Sequence, residues 1–436
     1  MVAQRVSRSQ RFILALVCAV AVSTIYAVQP VLETAGTGLE LAHDSLGVLV
    51  AAGQVGYFVG LVLLVPLGDV VDRRRLITAL LVLTAAGATV AAAAPNSAVA
   101  VTGLAVAGLF AVVVQVTVAY VAAVSAPSER GRNIGAVTSG VVIGILGVRV
   151  LAGVLGDTVG WRAVYALLAA LCVALALAVR TTLDPDRGTS GVRYAQVLAS
   201  MGRLARTDRL FRSRGLIAFF LFGSFGTLWS GLALPLGTEP WNLGTTQIGL
   251  FGLAGLAGAL GAARAGRWAD SGHPQAITGS ALALLTASWL LIARTEATLW
   301  LLIIGIVLLD FAVQAVHVSS QHLLTAAHQH HASSVIGAYM ACYSLGSALG
   351  AITTTWAYST WGWSASCWVG ATYSLCALVV WGLAQATGAV SVSGEGSKPA
   401  ARPATAAVAG PSLLRRSCHR CAAPRDSTRS CRSLRW

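Results

Sequence analysis

Long apolar runs, cut by short clusters of charge, proline and small polar residues, recur along nearly the whole chain. A helix needs about 20 apolar residues to cross the hydrocarbon core of a bilayer. Cut at the charges and prolines, the runs predict twelve such helices, over residues 12–32, 45–67, 76–94, 97–124, 134–156, 162–183, 214–236, 246–266, 275–293, 299–324, 333–356 and 363–386. Only one intervening segment is long, residues 184–213, and it divides the runs into six and six. Within it, residues 195–204 are predicted as a short helix on the membrane surface, arginines toward the headgroups. The first run follows Arg5, Arg8 and Arg11 and imitates a signal peptide, but it continues for some twenty residues without a small-residue cleavage site, so it is read as a retained helix.

The two halves echo one another. Gly135, Gly144, Gly160 and Trp161 recur as Gly337, Gly346, Gly362 and Trp363, at a constant offset of 202 residues. Parallel six-helix repeats related by an axis along the membrane normal are a transporter design. The predicted fold class is therefore an all-α membrane protein, twelve transmembrane helices in two pseudo-symmetric six-helix bundles, 12–183 and 214–386. A short segment, 1–11, precedes them and a polar basic tail, 387–436, expected to be disordered, follows.

Composition agrees: 56% of residues are hydrophobic and 11% charged, against about a quarter charged in soluble domains. The net charge of +14 would suit nucleic acid, but the arginines sit in the inter-helix segments and the tails, which is the positive-inside pattern. With the amino terminus inside, one side of the membrane holds Arg73, Arg74, Arg75, Arg130, Arg132, eight arginines between Arg180 and Arg214, Arg264 and Arg267. The other holds Glu33, Glu40, Asp44, Asp157, Arg162, Glu239, Arg294 and Glu296. Both termini are predicted to be cytoplasmic, in a plasma membrane.

Residues 66–77, Pro-Leu-Gly-Asp-Val-Val-Asp-Arg-Arg-Arg-Leu-Ile, pack two acids and three arginines between apolar runs. Each ionised side chain costs about 2.5–3.5 kcal/mol at the bilayer centre, so this is a surface loop. Its blander reading is a topology anchor. Gly68, Asp69, Asp72, Arg73, Arg74 and Arg75 resemble the loop between the second and third helices of the major facilitator superfamily, Gly-x-x-x-Asp-Arg-x-Gly-Arg-Arg, without the second glycine. Gly266 and Asp270 echo it in the second half. Gly135, Gly144 and Gly153 resemble the fifth-helix motif of drug exporters in that superfamily, but Val148 and Arg149 replace its Gly-Pro pair. Residues 66–77 and 135–165 look most like the drug and sugar efflux branch. The resemblance implies two bundles rocking about a central cavity lined by the first and fourth helices of each half, with the arginine loops as conformational gates.

Candidate cavity residues follow. Asp310, Gln314, His317 and Gln321 stand at i, i+4, i+7 and i+11, on one helix face. Asp310 lies about 18 Å into its span, a depth at which a carboxyl is a functional candidate, here for reversible proton binding; the alternative is a structural acid. Tyr26, Gln29 and Glu33 form a face at i, i+3 and i+7, with Pro30 able to open the backbone, although Glu33 also reads as a solvated loop acid. Gln115 and Tyr120 match His317 and His322 under the repeat offset, and Ser224, Thr227 and Ser230 form a weaker stripe. Arg149 and Asp310 differ in depth by roughly 7 Å and are expected to pair in one conformation; snorkelling, or bonding to helix carbonyls, is the alternative for Arg149.

Five cysteines, Cys18, Cys172, Cys342, Cys367 and Cys376, read as small buried hydrophobes. Cys418, His419, Cys421 and Cys431 lack the spacing of a zinc site, and His328, His330 and His331 read as solvated, so no metal is expected. No phosphate-cradling loop or nucleophile elbow is present, and neither an enzyme nor a cofactor is expected. The sequence therefore predicts a monomeric carrier, partnered by protons, lipid and a small-molecule substrate, that exports a drug, sugar or metabolite by proton antiport. Proton-coupled uptake is the first alternative and a non-transporting receptor or scaffold the second.

Overall fold

A computed structural model describes residues 6–126, 129–184, 194–269, 274–328 and 332–387. Its longer elements are all α-helices. The first bundle contains α1 (Arg8–Tyr26), a short α2 (Leu32–Gly38), α3 (Gly47–Leu63), α4 (Arg73–Ala92), α5 (Ser97–Phe110), α6 (Val113–Val124), α7 (Arg130–Thr158) and α8 (Trp161–Thr182). A linking helix, α9 (Tyr194–Thr207), covers the segment expected at 195–204. The second bundle contains α10 (Arg209–Gly231), a short α11 (Ala233–Gly237), α12 (Thr245–Ala269), α13 (Pro274–Ile292), α14 (Leu299–Ala327), α15 (Ala332–Trp361) and α16 (Trp363–Ala386). Among the described residues eleven helices are long and apolar enough to cross a membrane, and Thr245–Gly261 of α12 forms a shorter apolar helix in the eighth position. The tail, with its cysteines, together with Asp270, His330 and His331, lies outside the described residues.

Local chemistry sets several helix ends. Asp72 accepts a hydrogen bond from the Arg75 backbone N–H at 2.9 Å and so caps α4. Asn96 and Asp208 do the same for α5 and α10. The first span is shorter than expected: α1 stops at Tyr26, and residues 27–31 continue in tighter turns, Gln29 N–H to Tyr26 O at 3.2 Å and Val31 N–H to Val28 O at 3.2 Å. Pro30, which has no N–H to give, sits inside this break. Comparable interruptions separate α5 from α6 and α10 from α11.

The helices pair identically in the two bundles. In the first, α1 packs on α7 and α8, α3 on α5, and α4 on α5 and α8; in the second, α10 packs on α15 and α16, α12 on α14, and α13 on α14 and α16. The sequence repeat has a physical basis. A Cβ at Gly144 would fall 2.4 Å from the Ala19 carbonyl oxygen of α1, and one at Gly346 would fall 1.9 Å from that of Phe219 in α10. Gly160 and Gly362 open α8 and α16 with φ of 99° and 78°, a left-handed conformation that favours glycine. Each places a buried tryptophan, Trp161 or Trp363, immediately after it.

The bundles meet along α3 with α15 and α7 with α12. The end carrying Arg73 and Arg132 is strongly basic; the opposite end carries Asp44 and Asp157. Among the described residues, hydrogen bonds between the bundles lie at the acidic end and in the middle. Asp157 accepts from the backbone N–H groups of Thr245 at 3.0 Å and Thr246 at 2.6 Å, capping α12 from the other bundle with a charge suited to a helix N-terminus. Thr355 Oγ1 likewise accepts from Gly47 N–H at 3.2 Å, at the start of α3. Ser344 donates to the Gln54 carbonyl deeper in.

These close approaches are expected to be stability-determining. Gly346→Ala should lower the thermal unfolding midpoint of the purified protein, at a cost of about 1–3 kcal/mol from overpacking. Gly382→Ala, where nothing lies within 4 Å of the new Cβ, should leave it unchanged or raise it.

Candidate functional site

Arg149 lies in the middle of α7 and is 2% exposed. Its guanidinium keeps its charge in any protein environment, so the surroundings must supply acceptors. One terminal nitrogen donates to Gln29 Oε1 at 2.9 Å and the other to the Ile145 carbonyl, one turn back, at 3.1 Å. The group lies over the indole of Trp229 in α10, 3.7 Å from its centroid, with the rings of Tyr26 and Phe225 each at 5.7 Å. Gln29 reaches this position because it sits in the break after α1. Its amide nitrogen crosses to the other bundle, donating to Ser230 Oγ at 3.4 Å.

Asp310, in α14, is 3% exposed. Its Oδ2 makes no well-formed hydrogen bond among the described residues, and neither do Arg149 Nε and Trp229 Nε1, although the Trp229 indole lies close enough to act on the carboxyl. Glycines of α12 make room here: a Cβ at Gly255 would lie 2.8 Å from Asp310 Oδ2 and 2.8 Å from Trp229 Cζ2.

The expected Arg149–Asp310 pairing is not made in this conformation. Among the described residues no ion pair within 4.0 Å joins them, although their charges are close enough to act on one another. Gln29 and the indole face draw the guanidinium away, so the helix-carbonyl alternative is realised in part, through Ile145.

Tyr26, Gln29, Arg149 and Asp310 thus gather at one level, around Trp229. Tyr26 also meets Tyr343 of the second bundle, hydroxyl to hydroxyl. Gln314 is half-buried. His317 contacts the Tyr339 hydroxyl through Nδ1 at 3.1 Å and Gln321 through Nε2 at 3.0 Å, edge-on to Phe222. Gln115 donates to the Tyr57 hydroxyl at 3.3 Å. Two expected residues lie elsewhere. Tyr120 donates to the Asp184 carbonyl at 3.3 Å, just beyond α8. Glu33 stands at the acidic end beside Gly237, where burial pushes its carboxyl above the usual carboxylate range, against the opposing influence of His43.

The arginine loop folds onto its own bundle. Gly68 is buried in the turn Val65–Asp69, Arg73 is buried, Arg75 is exposed, and Arg74 donates to the Arg180 carbonyl. The Asp69 side chain lies outside the described residues; Gly266 falls near the end of α12. Trp229 and Phe225 were not among the expected site residues, yet Phe222, Phe225 and Trp229 stand at i, i+3 and i+7, an aromatic face the sequence does carry. A cavity of about 10 Å³ borders Gln29, Pro30, Arg149, Trp229, Leu232 and Ile248, the lower limit for one water molecule.

Comparison with known proteins fits this architecture. The sequence profile of the Major Facilitator Superfamily matches residues 12–351 and 215–418. The chain is 37% identical over 369 residues to "Uncharacterized transporter YgaY" of Escherichia coli O157:H7, covering 85% of this chain and 94% of that one. It is 33% identical over 357 residues to "Probable transporter SCO4007" of Streptomyces coelicolor, covering 81% and 83%. Among solved structures, a bacterial homologue of the human lysosomal transporter Spinster, inward-facing and occupied, superposes with a TM-score of 0.70 at 16% identity, over 88% of this chain and 98% of that one. A D-xylose-proton symporter superposes with a TM-score of 0.68 at 14% identity, over 86% and 97%. With the same helix pairing in both bundles and a profile that spans most of its length, the chain belongs to the Major Facilitator Superfamily and is a multi-pass membrane transporter.

Proposed function

We propose that this transporter is proton-coupled and exports a small molecule across the plasma membrane by antiport, with Asp310 as the proton carrier. One observation carries the reading: a carboxylate buried in the second bundle has an oxygen without a well-formed hydrogen bond, near an arginine that is bonded elsewhere. An acid fixed by a salt bridge would hold one protonation state; this one is free to change. In the antiport cycle, Asp310 takes a proton when the acidic end opens and gives it up when the basic end opens. Substrate and proton occupy the site in turn. The arginine-rich end is assigned to the cytoplasm, and residues 12–183 and 214–386 rock as two bodies joined by the linker 184–213. The resemblance of residues 66–77 and 135–165 to efflux proteins supports the outward direction.

Two outcomes are expected. Asp310→Asn in reconstituted vesicles should reduce proton-linked substrate flux to background while the protein elutes as a folded species; unchanged flux would remove Asp310 from the role. Movement of substrate in the same direction as the proton would replace antiport with symport, and no flux at all would favour a scaffold. Gln29→Leu should leave the buried guanidinium short of an acceptor and lower stability by about 1–3 kcal/mol, read by thermal unfolding. Gln29→Glu should not.

A further inference from the structure

Three buried polar atoms in the central site make no well-formed hydrogen bond among the described residues: the donors Arg149 Nε and Trp229 Nε1, and the acceptor Asp310 Oδ2, the last two being neighbours that act on each other. Hydrogen-bonding groups buried in this way are costly unless something else satisfies them. They belong to a site with one fixed positive charge and one acid, not joined to each other by an ion pair. The other walls are largely apolar, Phe225, Leu232 and Ile248, with the Gln29 amide and the Tyr26 hydroxyl as the further polar groups, both already bonded. On α12, Gly252 and Gly255 place no side chain beside Arg149 and Asp310; a Cβ at Gly252 would come 3.1 Å from Arg149 Cβ.

We infer that the substrate is a zwitterion with an apolar side group, of the α-amino-acid class, its carboxylate taken by Arg149 and its ammonium by Asp310. A lone cation would gain Asp310 but meet the Arg149 charge, and a lone anion would meet the reverse. A sugar would bring many hydroxyl groups to walls that offer few partners. A zwitterion satisfies both charges at once, displacing Gln29 from the guanidinium. The inference rests on Asp310 being the proton carrier, since the ammonium group and the proton then compete for one carboxylate, and that competition is what makes the two exchange. The cavity of about 10 Å³ is far too small for an amino acid, so binding requires the bundles to part at this level.

The test uses the purified full-length protein with L-leucine and L-phenylalanine, their one-charge relatives leucinamide and N-acetyl-leucine, and glucose. Thermal protection reports binding, and the same compounds are then tested in vesicles loaded with a pH-sensitive dye. Leucine or phenylalanine should protect at concentrations at least roughly tenfold below either one-charge relative, a difference of about 1.4 kcal/mol. Arg149→Gln should erase the preference over leucinamide; if that variant does not fold, the wild-type comparison alone decides. Equal protection by a one-charge relative or by glucose would overturn the substrate class, as would no protection by leucine or phenylalanine. Amino-acid binding with no proton movement would leave the class standing and overturn the coupling.

Discussion

Burying a guanidinium that cannot shed its charge is the constraint around which the middle of this protein is arranged. Moving an ion out of water costs several kcal/mol even after relaxation, and Arg149 is nearly inaccessible. The cost is met without a carboxylate at bonding distance. An amide oxygen, a carbonyl of its own helix and the face of an indole share the charge. Cation–π contacts of this kind strengthen when desolvated. Each partner imposes its own condition: Gln29 needs α1 to end early, and Trp229 must come from the opposite bundle. The arginine is therefore a joint between the halves as well as a charge in a cavity.

Around that joint the same packing is used twice. Glycines on α7 and α15 bring those helices against the backbone of α1 and α10, and glycine openings set the direction of α8 and α16. The repeat departs from symmetry where the chemistry is. At the acidic end one cross-bundle cap is a threonine and the other a carboxylate, Thr355 and Asp157. In the middle, Arg149 has Ala351 as its repeat counterpart and Asp310 has Gly108. Each half carries one buried charge whose counterpart in the other half is a small apolar residue, so the site is asymmetric although the scaffold is not.

Much of this was legible in the sequence, because hydropathy and glycine spacing report on neighbours along the chain and on close helix contact. The helices fall within a few residues of the apolar runs, and the glycine–tryptophan pairs mark equivalent corners. The depth of Arg149 and Asp310 was readable from counting along their spans. What contacts them was not. Counting places two charges at similar depth but does not say which way a long arginine turns, and here an indole and an amide from distant segments decide it. Asp72 reads as a gating acid in its motif, yet its side chain caps the helix that follows it. Tyr120 matches His322 under the repeat offset, but its hydroxyl donates to a carbonyl just beyond the end of α8, a contact that spacing along the chain does not reveal.

The most direct measurement is infrared difference spectroscopy of the purified protein across a pH titration, following the C=O stretch of protonated carboxyl groups. A carboxyl band that comes and goes with pH in the wild type and is missing from Asp310→Asn is the expected result, since an acid left without a salt bridge is free to bind a proton. A spectrum identical in the two proteins at every pH would mean that Asp310 never carries one, and the arginine would then be its permanent counter-ion.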